Sequence, residues 1–435
     1  MRLRLAQAIA VALAGTALAA PSAHAGALPY APGEVLARFK GQPEERSVKL
    51  PAGVTVPEAV RYLRASPKVA YANPNYLARA SDLWSPFDPG SLGGAHGWQR
   101  DQWNFLAPAT LPTVLAGASI QGAWQNLKSL SPGGKGVTVA VLDTGVAYRS
   151  QGTKFDRDPD LPLTNRFVSP KDFVGGDPLP LDENGHGTHV ASTIAQATNN
   201  HKGLTGIAYG ATLMPVRVLN RQEMGTAANI ARGIRYAVQN GADVINLSLE
   251  FAPAVKQCSQ IPGVCEAVQM AANQHVVVVA AAGNRGKPQV TYPAKAAGVI
   301  AVGASTYRGC LGAYSDYGAG LDLLAPGGGP DTSADTQNPN CDSAGLGYAI
   351  RQYSLNPQAA AHGNFRRFRI VGLKGTSMAA AHVSGTAALL LAENPGWSPS
   401  DVQSRLDSCA ALPGSQQYYA AGLLDAAKAT SPGPC

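Results

Sequence analysis

The feature that most constrains this fold is an alternation of short apolar runs and helical segments that begins at Gly136. The runs are four to six residues long and most are rich in β-branched residues, as in strands buried on both faces of a sheet. They are Val137–Leu142, Val244–Leu249, Val276–Ala281, Val299–Val302 and Leu321–Leu324. Alternating strands and helices predict an α/β fold with a doubly wound, mostly parallel sheet and helices on both faces.

One of the helical segments carries a stop signal and another carries a start signal. Apolar residues recur every fourth position through Thr226–Asn240, and Gly241 follows where a helix stop belongs. Ser398–Asp401 has the pattern of a capping box with proline at the first helical position. In such folds ligands bind at the carboxyl ends of the strands, so polar residues there are the first candidates for a site.

The charge distribution argues against a nucleic-acid partner. The chain of 435 residues has a formal net charge of +7, of which residues 1–25 contribute +2 and residues 26–80 contribute +4. The remaining residues, 81–435, are therefore nearly neutral and have no electrostatic basis for binding nucleic acid. Apolar residues make up 45% of the chain, which excludes wholesale disorder.

The first 25 residues have the pattern of a secretory signal. Arg2 and Arg4 precede an Ala/Leu-rich stretch of about sixteen residues, and the Ala-His-Ala that follows predicts cleavage after Ala25. The stretch is shorter than the ~20 residues that a spanning helix needs. We therefore expect a secreted, extracellular protein without a membrane anchor in its mature form.

Three further segments follow residues 1–25. Residues 26–80 form a small unit, residues 81–135 are rich in Pro, Gly and Trp as in linkers or wrapped loops, and residues 136–435 carry the α/β pattern. In the small unit we predict a strand at Glu34–Phe39, a short helix that is opened by Thr55–Glu58 and runs to about Ala65, and a second strand at Val69–Tyr76.

Six cysteines in an exported chain indicate up to three disulfides. Six cysteines allow 15 pairings. Pairing of nearest neighbours predicts Cys258–Cys265, Cys310–Cys341 and Cys409–Cys435. A cysteine-based metal site is disfavoured because no C-x-x-C pair is present.

Asp143 and His186 are candidates for chemistry. Asp143 directly follows the first apolar run, although by itself it fits a turn aspartate better. His186 lies between two glycines at a predicted helix start, where the backbone can approach closely and the ring stays accessible. His189 follows one turn later, and we interpret it as structural because no third zinc ligand is near.

Ser377 and Asn284 are weaker signals when each is taken alone. Ser377 precedes the apolar helix Val383–Ala392, where backbone N–H groups favour negative charge, but an ordinary N-cap serine fits as well. Its surroundings are not G-x-S-x-G, which disfavours an α/β-hydrolase. Asn284 follows a Val-rich strand and is either an oxyanion donor or a turn residue.

Taken together, four motifs resemble the subtilisin-like serine proteases (subtilases, peptidase family S8). They are Val141–Gly145, His186–Ala191, Ala281–Asn284 and Gly375–Ala379, with supporting stretches at Tyr292–Lys295, Val299–Ala304 and Leu324–Gly327. The likeness extends over about residues 136–430. The chain order Asp, His, Ser is the order found in subtilisin.

The resemblance implies a secreted serine endopeptidase that cleaves proteins or peptides through an acyl-enzyme and is made as a self-processing zymogen. Ser377 would be the nucleophile and His186 the general base and then the general acid, while Asp143 orients the imidazole. The Asn284 side chain and the Ser377 backbone N–H would bind the oxyanion.

The resemblance also implies a substrate edge at Ser248, Leu249, Glu250 and Gly283, with Ser248 and Leu249 as an edge strand that pairs with the peptide. Glu250 replaces a usual glycine, and we predict that it biases cleavage toward basic side chains. Two other departures from the family pattern should affect packing more than chemistry: Ser192 for glycine and Ala381 for proline.

Two more expectations come from the family. Residues 26–80 are similar to an inhibitory propeptide, an intramolecular partner whose removal would place the mature N-terminus between residues 78 and 105. Asp160 and Asn200, with Gln102 as a weaker third, match positions that bind structural calcium, although a polar loop without metal fits equally well. We expect no organic cofactor and a monomer.

Two interpretations from other classes stay open. A catalytically silent subtilase domain would act as a binding or adhesion module, but the presence of all four proposed catalytic residues argues against it. A zinc hydrolase that uses His186 and His189 is a more distant alternative.

Overall fold

The computed structural model describes residues 30–76, 85–108, 116–127, 133–176, 178–334, 338–345, 347–411 and 414–435. The predicted signal, residues 1–25, lies outside this range. The chain forms two compact units, Met1–Leu83 and Trp84–Cys435. This division lies close to the proposed boundary after residue 80, while the roles assigned to the four segments stay predictions.

The first unit contains a three-stranded antiparallel sheet of order β2-β1-β3 and one helix. Its elements are β1 (Tyr30–Phe39), β2 (Arg46–Lys49), α1 (Val56–Ala65) and β3 (Val69–Tyr76). Helix α1 begins with a capping box between Thr55 and Glu58 and buries an apolar stripe. The predicted strands and helix are confirmed, whereas β2 is a polar, mostly exposed edge strand without the apolar alternation that predicts strands.

The second unit is built on a seven-stranded sheet of order β10-β9-β8-β7-β4-β6-β5, and every pairing in it is parallel. The strands are β4 (Thr138–Asp143), β5 (Lys171–Asp172), β6 (Thr212–Arg217), β7 (Val244–Leu247), β8 (Val277–Ala281), β9 (Val299–Ser305) and β10 (Leu323–Pro326). A separate antiparallel hairpin joins β11 (Ile350–Leu355) to β12 (Phe368–Leu373).

The described part of the second unit also contains helices of four to eighteen residues. They are α2 (Trp98–Asp101), α3 (Ile120–Asn126), α4 (His186–Ala195), α5 (Ala227–Gln239), α6 (Pro262–Asn273), α7 (Pro357–Ala361), α8 (Thr376–Glu393), α9 (Pro399–Cys409), α10 (Gln416–Tyr419) and α11 (Ala426–Thr430). The predicted capping box is confirmed, since the Ser398 side chain accepts the Asp401 N–H at the start of α9. The predicted stop is confirmed as well, since α5 ends at Gln239 and Gly241 has a positive φ. The Thr226 side chain, which was not predicted as a cap, accepts the Asn229 N–H at the start of α5.

Strand β4 shows why the sheet strands are continuously apolar. Val139 and Val141 pack into the core that contains α4 and α8, whereas Ala140 and Leu142 pack into the core that contains α5 and α6. Successive side chains of a strand point to opposite faces, so a sheet covered on both faces requires apolar residues throughout. The doubly wound α/β prediction is confirmed.

Strand β6 was not predicted because it contains Pro215 and ends at Arg217. Proline lacks the N–H that a ladder needs and normally excludes an inner strand. Here the neighbouring strand β5 pairs only with Val216 and Arg217, so Pro215 pairs with β4 on one side and with no β5 residue on the other. The proline is therefore tolerated one residue beyond the short edge strand.

The three nearest-neighbour disulfides are confirmed at Cys258–Cys265, Cys310–Cys341 and Cys409–Cys435. None of the helices in the described ranges combines the length and the apolar character needed to cross a bilayer.

Candidate active site

Asp143 and His186 meet at the carboxyl end of β4. Asp143 is the last residue of that strand and is fully buried, and His186 is the first residue of α4. The Asp143 Oδ1 lies 2.7 Å from the His186 Nδ1 and accepts the Thr144 backbone N–H at 2.7 Å. A proton held on Nδ1 by this carboxylate leaves the imidazole Nε2 free to accept another.

Gly187 permits this close approach of strand and helix. A Cβ atom at Gly187 would overlap the carbonyl oxygen of Gly145 and lie 3.1 Å from the side chain of Asp143. The Gly187 N–H donates to the Thr144 Oγ1 at 3.0 Å. The expectation that glycine beside His186 serves close backbone packing is therefore confirmed at this position.

Asp182 anchors the first turn of α4, and sequence reasoning missed it. This buried carboxylate accepts the Thr144 hydroxyl at 3.0 Å, two backbone N–H groups of its own loop, and both the N–H and the hydroxyl of Thr188. It therefore ties the end of β4 to the helix that carries His186. Its only sequence signal was an acidic residue four positions before that histidine.

The surroundings of His186 favour its protonated form. Burial lowers the pKa of His186, but the charge and hydrogen bond of Asp143 raise it more, with smaller contributions from Glu223 and Asp182, to about 9. The neutral form, which a general base requires, is therefore gained as the pH rises above the usual range of histidine.

Ser377 lies in the first turn of α8, the longest helix of the described residues, and is 8% exposed. Its hydroxyl donates to the carbonyl oxygen of Ser248 at 3.2 Å, and the Ser248 hydroxyl donates back to the Ser377 carbonyl at 2.8 Å. The next residue, Met378, and His186 line the same groove. Transfer of a proton to His186 requires the serine hydroxyl to turn toward Nε2, and such contacts often tighten only when substrate binds.

Asn284 follows β8 and is held by the residue before Ser377. The Asn284 Oδ1 accepts the backbone N–H of Thr376 at 2.9 Å and its hydroxyl at 3.1 Å, so the Nδ2 group is left to donate elsewhere. A Cβ atom built at Gly375 would lie 3.9 Å from this Nδ2 and 3.8 Å from the Ser377 backbone nitrogen. The two proposed oxyanion donors therefore border one small space that a side chain at Gly375 would enter.

Ser248 and Leu249 lie just beyond β7, which ends at Leu247 rather than at the predicted Leu249. Both residues are buried, and Ser248 contacts Ser377 as described above. Their proposed pairing with an extended peptide stays a prediction.

Glu250 is engaged by a neighbouring cation. Its Oε2 lies 2.8 Å from the Arg285 Nη1 and accepts the Asn284 N–H at 3.3 Å. A Cβ atom at Gly283 would overlap the carboxylate of Asp316 and lie 2.7 Å from that of Glu250, so glycine is required there. The predicted preference for basic side chains is untested, and the ion pair with Arg285 weakens its electrostatic basis.

His189 is structural in this fold. The ring is fully buried, its Nε2 lies 3.2 Å from the carbonyl oxygens of Ile350 and Val371, and burial lowers its pKa to about 3. Across the described ranges, no three His, Cys, Asp or Glu side chains are grouped to hold a metal ion. These contacts give no support to a zinc site at His186 and His189.

The proposed calcium ligands are close together but are already satisfied. Asp160 accepts the Asn200 Nδ2 at 2.9 Å, the Gln196 Nε2 at 2.7 Å and the Leu204 N–H at 2.9 Å. Gln102 bonds the Thr205 backbone through both ends of its amide. Calcium requires converging oxygen atoms, whereas the side-chain oxygens of Asp160 and Gln102 already accept N–H groups.

The loop after α4 also presents donors where calcium would need acceptors. Asn199 and Asn200 direct their backbone N–H groups to the buried carboxylate of Asp88 at 2.7 and 3.0 Å. Burial raises the pKa of Asp160 to about 6. In this arrangement the residues do not fit a calcium ion.

Comparison with known proteins identifies similar sequences over most of the second unit. Residues 134–422 match the family model described as the subtilase family. The chain is 37% identical to Subtilisin Savinase of Lederbergia lenta over 297 residues, covering 68% of this chain and 91% of that protein. It is 31% identical to the Thermophilic serine proteinase of Bacillus sp. (strain AK1) over 426 residues, covering 92% of this chain and 88% of that one.

A solved structure of a protease from Pseudoalteromonas arctica is similar in fold. It aligns with a TM-score of 0.62 at 28% sequence identity and covers 80% of this chain and 99% of that chain. A cold-adapted subtilisin-like serine proteinase aligns with a TM-score of 0.51 at 29% identity, covering 69% of this chain and 91% of the other.

We predict that kcat/KM for an uncharged peptide rises with pH through an apparent pKa above the 6.5 of ordinary histidine. Glu223→Gln removes a negative charge that favours the imidazolium, so it should lower this apparent pKa by on the order of a few tenths of a unit at low salt. Glu266→Gln, which removes an exposed carboxylate paired with Arg235, is the charge-matched control. An unchanged or raised apparent pKa in Glu223→Gln would contradict this electrostatic account.

We also predict that calcium does not stabilise the loop after α4. Because N–H donors already satisfy Asp88 and Asp160, the unfolding temperature of a Ser377→Ala protein should be the same in calcium chloride and in a chelator. A calcium-dependent rise of several degrees that Asp160→Asn abolishes, and that the control Asp156→Asn retains, would show that the loop rearranges to bind the ion.

Proposed function

This chain belongs to the subtilase family of serine proteases, and from that premise we propose that it is a secreted serine endopeptidase made as a self-processing zymogen. Its substrates would be proteins or peptides, and we propose that the mature enzyme acts as a monomer. The observation that carries the proposal is the 2.7 Å hydrogen bond between the buried Asp143 and His186 beside the helix that bears Ser377.

In the acylation step, the Ser377 hydroxyl attacks the scissile carbonyl carbon while His186 Nε2 takes its proton. Asp143 keeps the other imidazole proton on Nδ1 and stabilises the positive charge that forms on the ring. His186 then gives the proton to the leaving amine, and the acyl group stays on the serine oxygen. In the second step a water molecule attacks the acyl carbon while His186 takes its proton, and His186 then returns the proton to the Ser377 oxygen. The acyl group is released as a carboxylic acid and Ser377 is restored.

The tetrahedral intermediates carry a negative oxygen that needs donors fixed in advance. We assign this role to the Asn284 Nδ2 and the Ser377 backbone N–H, which border the same space beside Gly375. Thr376 holds the amide oxygen of Asn284, so its N–H₂ group needs little reorganisation when charge develops. Ser248, Leu249, Glu250 and Gly283 would contact the substrate on the acyl side.

We propose that residues 1–25 direct export and that residues 26–80 act as an intramolecular inhibitor until they are cleaved. The compact unit within Met1–Leu83 supports a segment that folds with its own core of apolar side chains. Residues 26–80 contribute +4 of the net charge of +5 that lies outside the signal, so cleavage would leave a nearly neutral enzyme.

A catalytically silent binding module is the alternative from another class. It would keep the fold but would not need a buried carboxylate oriented toward His186. A zinc hydrolase would resist a serine-directed phosphonate, and a binding module would have no activity to lose. The phosphonate therefore separates all three classes.

We predict that N-terminal sequencing of the secreted wild-type protein finds a start between residues 78 and 105, whereas Ser377→Ala starts near Gly26. The variant lacks the nucleophile needed to remove its own propeptide. A serine-directed phosphonate should add one adduct to the wild type and none to Ser377→Ala. Ser408→Ala, which changes an exposed serine, should be processed and labelled like the wild type. A processed, active Ser377→Ala protein would refute the proposal.

A further inference from the structure

A groove of about 660 Å³ opens beside His186. Its wall includes His186 and Met378, and Val371 and Leu373 of β12 contribute apolar side chains. Among the described residues that line it, none belongs to the proposed acyl-side contacts. In the proposed function His186 delivers the proton to the leaving amine. The substrate residues after the cleaved bond should therefore bind along this wall, and this assignment rests on the proposed function.

The hairpin that forms this wall is unusually basic. From Ser343 to Ala392 the chain has no Asp or Glu. The same stretch contains five basic residues, Arg351, Arg366, Arg367, Arg369 and Lys374. This local excess of positive charge contrasts with the near neutrality of residues 81–435 as a whole.

Two of these five charges are neutralised by ion pairs that lie outside the groove lining. Arg351 is 2.7 Å from Asp101 and Arg366 is 3.0 Å from Asp156. Arg369 instead donates to the neutral amide of Gln358 at 2.6 Å. Within the described parts of the chain, no ion pair involves Arg367, Arg369 or Lys374.

The acidic residues of the groove do not cancel this charge. Glu183 is bound by Arg217 at 2.9 Å and by Lys154 at 3.1 Å. Glu223 is the other carboxylate in the lining, and it faces a groove that also contains Lys374 and Arg221. Arg221 donates to the carbonyl oxygens of Ala360 and Ala361, which position the guanidinium without removing its charge.

The strand geometry extends the basic surface away from the catalytic residues. Arg369, Val371 and Leu373 occupy alternate positions of β12 and therefore point to one face of the hairpin. Val371 and Leu373 line the groove, and Gln358, the partner of Arg369, belongs to α7, which also contributes to the wall. Four strand residues span about 13 Å, the length of four residues of an extended peptide.

We propose that this groove is a leaving-group-side subsite that selects acidic side chains two to four residues beyond the cleaved bond. Lys374 and Arg221 would attract a carboxylate near the catalytic end, and Arg369 would attract one farther along β12. Apolar contacts with Leu373 and Val371 would hold the intervening backbone. The substrate class is therefore proteins with Asp or Glu on the carboxyl side of the cleavage site.

The test uses two quenched fluorescent peptides that are identical up to the cleaved bond and carry either Glu or Gln at the second to fourth positions after it. The wild-type enzyme should cleave the Glu peptide with a kcat/KM about three- to tenfold higher at low salt. At 1 M NaCl, where the Debye length is about 3 Å, the ratio should fall toward one.

The double variant Arg369→Gln/Lys374→Gln should abolish this preference and leave kcat/KM for the Gln peptide unchanged. Arg366→Gln, which removes a charge from the same hairpin but from an existing ion pair, should retain the preference. Equal cleavage of both peptides by the wild type, or a preference that survives the double variant, would overturn the subsite. Failure to cleave either peptide, together with no phosphonate adduct, would instead overturn the proposed function on which the subsite rests.

Discussion

The hydrogen bond between Asp143 and His186 is the interaction on which the functional site depends. A fully buried carboxylate is costly unless it is paired, and here it receives the imidazole and the Thr144 N–H on one oxygen. Gly187 and Asp182 support this bond. Gly187 lets α4 approach β4 closely, and Asp182 fixes the first turn of the helix. The raised pKa of His186 is its electrostatic consequence.

The parallel sheet explains how residues far apart in sequence come together near the Asp143–His186 hydrogen bond. Strands β4 and β8 deliver Asp143 and Asn284 to the same edge because parallel strands all end there. Helix α8 packs beneath the sheet and brings Ser377 to this edge with its backbone N–H groups pointing outward. The β11–β12 hairpin then packs against α4 and forms a wall of the groove beside His186. In our proposal the same helix therefore serves both catalysis and substrate selection.

The sequence was sufficient for features that depend on local pattern. Apolar runs predicted five sheet strands, helix signals predicted the end of α5 and the start of α9, and nearest-neighbour pairing predicted the disulfides. It was insufficient where tertiary context decides. Pro215 is tolerated only because β5 is short, and Asp182 is recognisable as an anchor only once Thr144 and Thr188 are adjacent. The calcium ligands matched by position, but N–H donors occupy the oxygens that an ion would need.

The most direct test of this account is the kcat/KM at neutral pH of an Asp143→Asn enzyme whose propeptide has been removed by added wild-type enzyme, with Asp156→Asn as the control. An amide at this position cannot hold the Nδ1 proton, which favours the wrong imidazole tautomer and leaves the imidazolium unsupported. We expect a loss on the order of 10⁴-fold with an unchanged fold and unchanged disulfides. A loss of less than tenfold would mean that Asp143 does not orient the base, and the central claim would be wrong.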